Sequence, residues 1–203
     1  TEEALTGFMM KAFTQKGDPD IAYYRKGSAA STITPHDIDK LDLYGCERLH
    51  VTGIFPAVSE SALAATKRLI QRAQALELPI SFDPNLRPQL WASEKKMIET
   101  LNGLAQGVET ILPGIGEGRI LTGRDTPEGV TEYYHSLGVK NVVVKTGKEG
   151  AYFSQLAESR DIPPRSPCGK RWTLWAPGTA LPPGSSAPWR RGKPWRRPPS
   201  GAT

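Results

Sequence analysis

Cysteine is scarce. Cys46 and Cys168 are the only two in 203 residues, too few for a disulfide framework or a thiolate metal site. The three histidines, His36, His50 and His135, stand apart without ligand spacing and are read as ordinary surface or core residues. No apolar run reaches the ~20 residues of a membrane span. The opening Leu5-Thr6-Gly7-Phe8-Met9-Met10 is too short for a signal-peptide core and has no cleavage pattern. These absences favour a reducing cytoplasm. The chain starts at Thr1 without an initiator methionine and is read as a fragment. It contains no internal repeat and no Walker A P-loop.

Aliphatic residues are also scarce, but only locally. Hydrophobic content is 38% and mean hydropathy −0.42, low for a packed α/β domain. The deficit lies after Arg160, where Pro, Arg, Gly and Ser dominate and where Trp172, Trp175, Trp189 and Trp195 fall. The net charge of +5 is local too. From Arg160 onward nine basic residues face one acid, Asp161, so the preceding residues carry a small negative excess. A basic face for nucleic acid is not expected on the folded part. The chain divides into a globular region, 1–158, and a Pro/Arg/Trp-rich tail, 159–203.

What is present is a regular alternation of strand and helix signals. Residues 2–13 have helical spacing, with Leu5, Phe8, Met9 and Phe13 on one face. Residues 21–25 read as a strand that 28–33 continue past a bend at Gly27. Thr34 and Pro35 open a helix. Strands follow at 47–53, 79–83, 110–112, 142–145 and 151–153. Helices are expected at 60–76 (capped by Ser59), 94–105 (capped by Ser93), 115–122 and 127–137. Strands alternating with helices imply βαβ units, so an α/β fold with a doubly wound, mostly parallel sheet flanked by helices is expected.

Three segments carry candidate chemistry. Strand 79–83 runs into Asp83-Pro84-Asn85-Leu86-Arg87-Pro88, followed by Leu90-Trp91. A carboxylate, a carboxamide and a guanidinium appear where the strand ends, stiffened by two prolines. In open α/β sheets ligands sit at such carboxyl ends. Val142-Val143-Val144-Lys145-Thr146-Gly147-Lys148-Glu149-Gly150 is a strand entering a glycine-flanked turn, whose N–H groups can face phosphate; the same pattern also suits a plain β-hairpin. In Tyr23-Tyr24-Arg25, Tyr23 and Arg25 share one strand face and Tyr24 takes the other. A phenol beside a guanidinium suits a sugar acid, and an ordinary half-exposed strand looks the same.

Phe82-Asp83-Pro84-Asn85-Leu86-Arg87 with Leu90-Trp91 resembles the central loop of the ribokinase-like (PfkB) carbohydrate kinases, closest to their 2-keto-3-deoxygluconate kinase branch. The resemblance covers roughly residues 1–155 and implies a ribokinase-like fold, incomplete here, with ATP and Mg2+ as cofactors and a small-molecule sugar acid as substrate. It implies that Tyr23, Tyr24, Arg25 and Arg87 contact the acid. It implies that Lys145, Thr146, Gly147, Lys148, Glu149 and Gly150 line the ATP site, with Asn85 and Arg87 near the phosphates. Related kinases often carry Asn-x-x-Glu where this chain has Gly114-Ile115-Gly116-Glu117. By that likeness Glu117 helps organise Mg2+; a solvent-facing Glu is the other reading. Family members are often homo-oligomers, and neither nucleic acid nor membrane is implied as a partner. A ribokinase-like kinase of a neutral sugar or nucleoside, or a fragment that only binds ligand, are the alternatives.

The family's general base is an Asp in a Gly-Ala-Gly-Asp turn. No such tetrapeptide occurs, so no catalytic residue is assigned, and the chain as written is expected to be inactive. Residues 172–181, Trp-Thr-Leu-Trp-Ala-Pro-Gly-Thr-Ala-Leu, explain the gap. Read one base earlier, Trp-Thr forces an Asp codon and Trp-Ala forces a Gly codon. The remaining codons permit Asp-Thr-Val-Gly-Ala-Gly-Asp-Gly-Phe. A frameshift near residue 160 accounts for the tail's composition and the missing turn together. A natural Pro/Arg-rich segment is the competing account. The DNA across codons 160–181 is expected to encode the nonapeptide in the neighbouring frame; codons that forbid it would sink the frameshift.

Overall fold

The computed structural model describes residues 4–12, 20–156 and 158–162. Strand β1 (Phe8–Ala12) pairs antiparallel with β2 (Asp20–Tyr24) in a two-stranded sheet, with Met9 opposite Tyr23. A six-stranded sheet follows in the order β3 (Leu49–Thr52), β4 (Ile80–Asp83), β5 (Thr110–Ile111), β6 (Asn141–Lys145), β7 (Ala151–Gln155), β8 (Glu158–Ile162). The first four are mutually parallel; β7 and β8 run antiparallel. Helices α1 (Pro35–Asp39), α2 (Glu60–Ala75), α3 (Glu94–Ala105), α4 (Ile115–Thr122) and α5 (Pro127–Ser136) flank the sheet. The mixed, mostly parallel sheet agrees with the architecture expected from the alternation.

Helix starts follow their caps. Thr34 accepts from the Asp37 N–H while the Asp37 carboxylate accepts from the Thr34 N–H, a reciprocal capping box. The Thr34 hydrogen bonds are the main reason the Asp37 carboxyl is held below its usual range. Ser59 and Ser93 accept from the N–H groups of Ala62 and Lys96.

Two expectations are corrected. Of the helix expected over 2–13, residues 8–12 form a strand, because pairing with β2 along its length outweighs local spacing. Its apolar side chains cover no core: Phe8 is 56% exposed and stacks on Tyr24 at 4.6 Å between centroids. The strand expected at 28–33 is a short 3-10 turn, Ala29–Thr32. Serines hold that segment onto α2, with Ser59 Oγ donating to Ser31 O and Ser61 Oγ to Ile33 O, both at 2.7 Å. Strand β8 was not foreseen, and the sheet continues past the boundary placed at 158. The proposed tail beyond Ile162, with Cys168 and four tryptophans, lies outside the described residues.

The core lies between sheet and helices. Phe82, Ile111, Val142 and Val144 from the strands meet Met97, Leu101, Val130 and Tyr134 from the helices, each at 0–1% exposure. Burying one such side chain contributes roughly 1.5–3 kcal/mol. Asn102 is the polar exception. Its Nδ2 donates to Leu121 O (2.8 Å) and Tyr133 Oη (3.2 Å), and its Oδ1 accepts from the Tyr134 hydroxyl (3.3 Å). This buried amide ties α3, α4 and α5 together, and no sequence pattern marked it. Among the described residues no helix is long and apolar enough to cross a membrane.

Two glycines separate close approach from empty space. A Cβ on Gly53, just after β3, would sit 1.9 Å from the Pro84 carbonyl oxygen, and the Gly53 N–H donates to Asp83 O at 2.8 Å. A Cβ on Gly103, exposed in α3, would meet nothing within 4 Å. Gly53→Ala is expected to destabilise the fold by about 1–3 kcal/mol through backbone overlap. Gly103→Ala is expected to stabilise it by about 0.5–1 kcal/mol through helix propensity. Urea denaturation of both variants checks the pair, and equal effects would contradict the packing at Gly53.

Candidate active site

The candidate groups gather at the carboxyl ends of the parallel strands. Asp83 is the last residue of β4 and Lys145 the last of β6. Gly114, between β5 and α4, bridges to Lys145, whose N–H donates to Pro113 O at 2.8 Å. Parallel pairing brings these residues together although the pairs lie about 30 or 60 positions apart along the chain.

After Asp83 the backbone turns sharply. Pro84 is buried, and Asn85 has φ 44°, left-handed, a conformation Asn tolerates better than most residues. Leu86 and Trp91 pack against the core. Those two residues of the loop signature therefore anchor it, while Asn85 and Arg87 beside Leu86 are half-buried. The Asn85 carboxamide has no hydrogen-bond partner among the described residues, which leaves both its ends available to a ligand.

Glu117 ties this loop to the next. Its Oε1 accepts from the Leu86 N–H (2.9 Å) and its Oε2 from the Gly114 N–H (2.7 Å). The residue is half-buried, so the solvent-facing reading is corrected. Lys145 Nζ lies 3.1 and 3.0 Å from the two Asp83 oxygens and 4.0 Å from Glu117 Oε2. Behind Glu117, burial pushes the Tyr134 phenol far above its ordinary value, with the charges of Tyr133 and Glu117 adding to the effect. It stays a neutral donor to Asn102.

A second cluster forms where β2 meets the loop. Arg87 Nε donates to the Tyr23 hydroxyl at 3.1 Å, and Arg87 Nη1 to Leu86 O at 2.6 Å. The Arg25 guanidinium stacks over the Tyr23 ring, 4.8 Å from its centroid. Neither guanidinium has a carboxylate partner among the described residues. The structure thus brings Arg87 to Tyr23 and Arg25, about 60 positions earlier in the chain. Tyr24 takes the opposite face, stacked on Phe8 and 51% exposed.

The glycine turn has the form the sequence suggested. Thr146 N–H donates to Gly150 O (2.9 Å), and Gly147 and Gly150 carry φ of 68° and 104°. Lys148 and Glu149 are exposed in it. Lys145 is exposed as well, but its ammonium rests on Asp83.

The profile of the pfkB family carbohydrate kinases matches residues 1–170. The chain belongs to the pfkB family of carbohydrate kinases. It is 44% identical over 153 residues to a 2-dehydro-3-deoxygluconokinase of Bacillus subtilis, covering 75% of this chain and 47% of that relative. Among solved structures it is similar to a PfkB protein from Polaromonas sp. JS666, at TM-score 0.75 and 46% identity over 79% of this chain and 54% of that one. It is also similar to an E. coli ribokinase II in complex with ATP and Mg2+, at TM-score 0.63 and 27% identity over 75% and 49%. The chain spans about half the length of the curated relatives it matches. These likenesses give the pfkB architecture to the chain and leave the arrangement of its charged groups to be read from its own geometry.

Among the described residues no group of three or more His, Cys, Asp and Glu side chains could hold a metal ion. Glu117, the residue the resemblance assigned to Mg2+, has both oxygens on backbone N–H groups. With the Lys145 ammonium 4.0 Å from Oε2 as well, each Glu117 oxygen already faces a donor. Glu117→Gln leaves one oxygen where two accept. A loss of about 1–3 kcal/mol in stability is expected, with faster amide hydrogen exchange at Leu86 or Gly114. Unchanged exchange at both would show that the carboxylate does not hold the loop.

Proposed function

We propose that this site takes a sugar acid and ATP, and that the protein's lineage phosphorylates 2-keto-3-deoxygluconate to its 6-phosphate. The carrying observation is the convergence of Arg25 and Arg87 on Tyr23 without any carboxylate to neutralise them. Two half-buried guanidiniums lacking a counter-charge favour an anionic ligand. The Arg87 Nη2 donors stay free for a carboxylate, while the Tyr23 hydroxyl keeps the guanidinium oriented. The name of the Bacillus subtilis relative points to the same acid.

On this reading ATP approaches from the side of the Thr146–Gly150 turn, whose exposed Lys148 supplies positive charge, and Asn85 stands between nucleotide and acid. The E. coli neighbour bound to ATP and Mg2+ supports the nucleotide. Mg2+ supplies charge stabilisation to the phosphates when bound. Phosphoryl transfer also needs a base to take the hydroxyl proton and an anion hole. The 203 residues contain no Gly-Ala-Gly-Asp turn to furnish them. The chain as written therefore binds without turning over, and a shifted frame after about residue 160 is the cause we assign. The division into a partial kinase region and an out-of-frame tail, the cytoplasmic setting and an absence of nucleic-acid partners belong to the same reading.

Calorimetry is expected to show binding of 2-keto-3-deoxygluconate in preference to ribose or fructose. Arg25→Met and Arg87→Met should each weaken the acid by about 10–100-fold, the loss of a charge-assisted hydrogen bond. A neutral sugar bound as tightly as the acid would favour the alternative kinase class. A coupled ADP-release assay should stay at background, and turnover would overturn the inactivity.

A further inference from the structure

The family resemblance implies that Lys145 lines the ATP site and Glu117 serves Mg2+. The geometry points elsewhere for both. Lys145 Nζ approaches both Asp83 oxygens, at 3.0 and 3.1 Å, and stands 4.0 Å from Glu117 Oε2. Glu117 accepts from two backbone N–H groups at once. The three residues come from the end of β4, the end of β6 and the first turn of α4. An ammonium set between two carboxylates takes the place a cation would take. It also joins the loop that carries Arg87 to the strand that opens the glycine turn.

We infer that Lys145 is a positioning residue and the resident cation of this site. Its ammonium pairs with Asp83, offsets part of the charge of Glu117, locks the Asp83–Arg87 loop to the β6 end, and keeps divalent metal off these carboxylates, so Mg2+ enters only with the nucleotide's phosphates. This deepens the reading of a nucleotide site at the strand ends.

The geometry separates this role from that of a phosphate ligand. Lys145 and Lys148 are both exposed, but Lys148 has no carboxylate partner among the described residues. Lys145 turns back across the strand ends to Asp83, 62 positions earlier in the chain. Removing the ammonium would leave Asp83 and Glu117, which both lie within 4.0 Å of it, without that cation. Such a pair draws a hard divalent cation, whose oxygen preference they satisfy.

The test uses Mn2+ alone, without nucleotide, followed by the loss of free-ion signal in electron paramagnetic resonance. The parent chain and Lys145→Arg should leave Mn2+ free. Lys145→Met should hold it at least about tenfold more tightly, as an uncompensated oxygen pair does, and Asp83→Asn in that background should abolish the gain. Circular dichroism establishes that each variant is folded. Mn2+ held by the parent chain and released by Glu117→Gln would overturn the proposal, a measurement that does not require Lys145→Met to fold. So would a folded Lys145→Met chain that holds Mn2+ no better than the parent. Failure of the sugar-acid and ATP reading would appear separately, as absent ligand binding by the parent chain, with the Mn2+ pattern unaffected.

Discussion

The Glu117 carboxylate accepts N–H bonds from Leu86 and Gly114, 31 and three positions away in sequence, and the placement of each charged group at the mouth follows from that. A buried backbone N–H left unpaired costs free energy comparable to a lost hydrogen bond. One side chain therefore fixes where the loop after β4 leaves the sheet and where α4 begins. With both held, Asp83 meets Lys145 and Arg87 meets Tyr23. The Asn102 amide steadies α4 from behind, at Leu121 O.

This arrangement divides labour within short motifs. In the loop after β4, Leu86 and Trp91 hold to the core while Arg87 reaches Tyr23. In Tyr23-Tyr24-Arg25, alternate residues serve different faces: Tyr23 and Arg25 join the site, and Tyr24 stacks on Phe8. A motif match alone assigns all such residues to ligand binding. The contacts show that several act by holding others in place.

Much of the fold was legible because its signals are local. Ser59, Ser93, Thr34 and Thr126 cap helices by hydrogen bonds that reach only three residues on, so the helix starts fall where caps predict. The strand ending at Asp83 and the glycine-flanked 147–150 turn were equally readable. Of the helix expected at the start of the chain, residues 8–12 form a strand instead. Leu5, Phe8 and Met9 have helical spacing, but the decisive contact is long-range pairing with β2, which spacing does not encode. Strand β8 was missed for a similar reason. Its polar sequence carries no alternation, and antiparallel pairing with β7 makes it a strand.

By itself the sequence determined the residue types at the site: the carboxylate, carboxamide and guanidinium after β4, the Tyr-Tyr-Arg strand and the lysine–glycine turn. It also determined the caps and the family likeness. Only the tertiary structure decided which charges meet. Lys145 pairs with Asp83, Glu117 grips two backbone N–H groups, and Arg87 takes Tyr23 as an acceptor. Such pairings depend on strand order and on distances across the sheet, and Coulombic and hydrogen-bond energies fall off over a few ångströms that no spacing along the chain records.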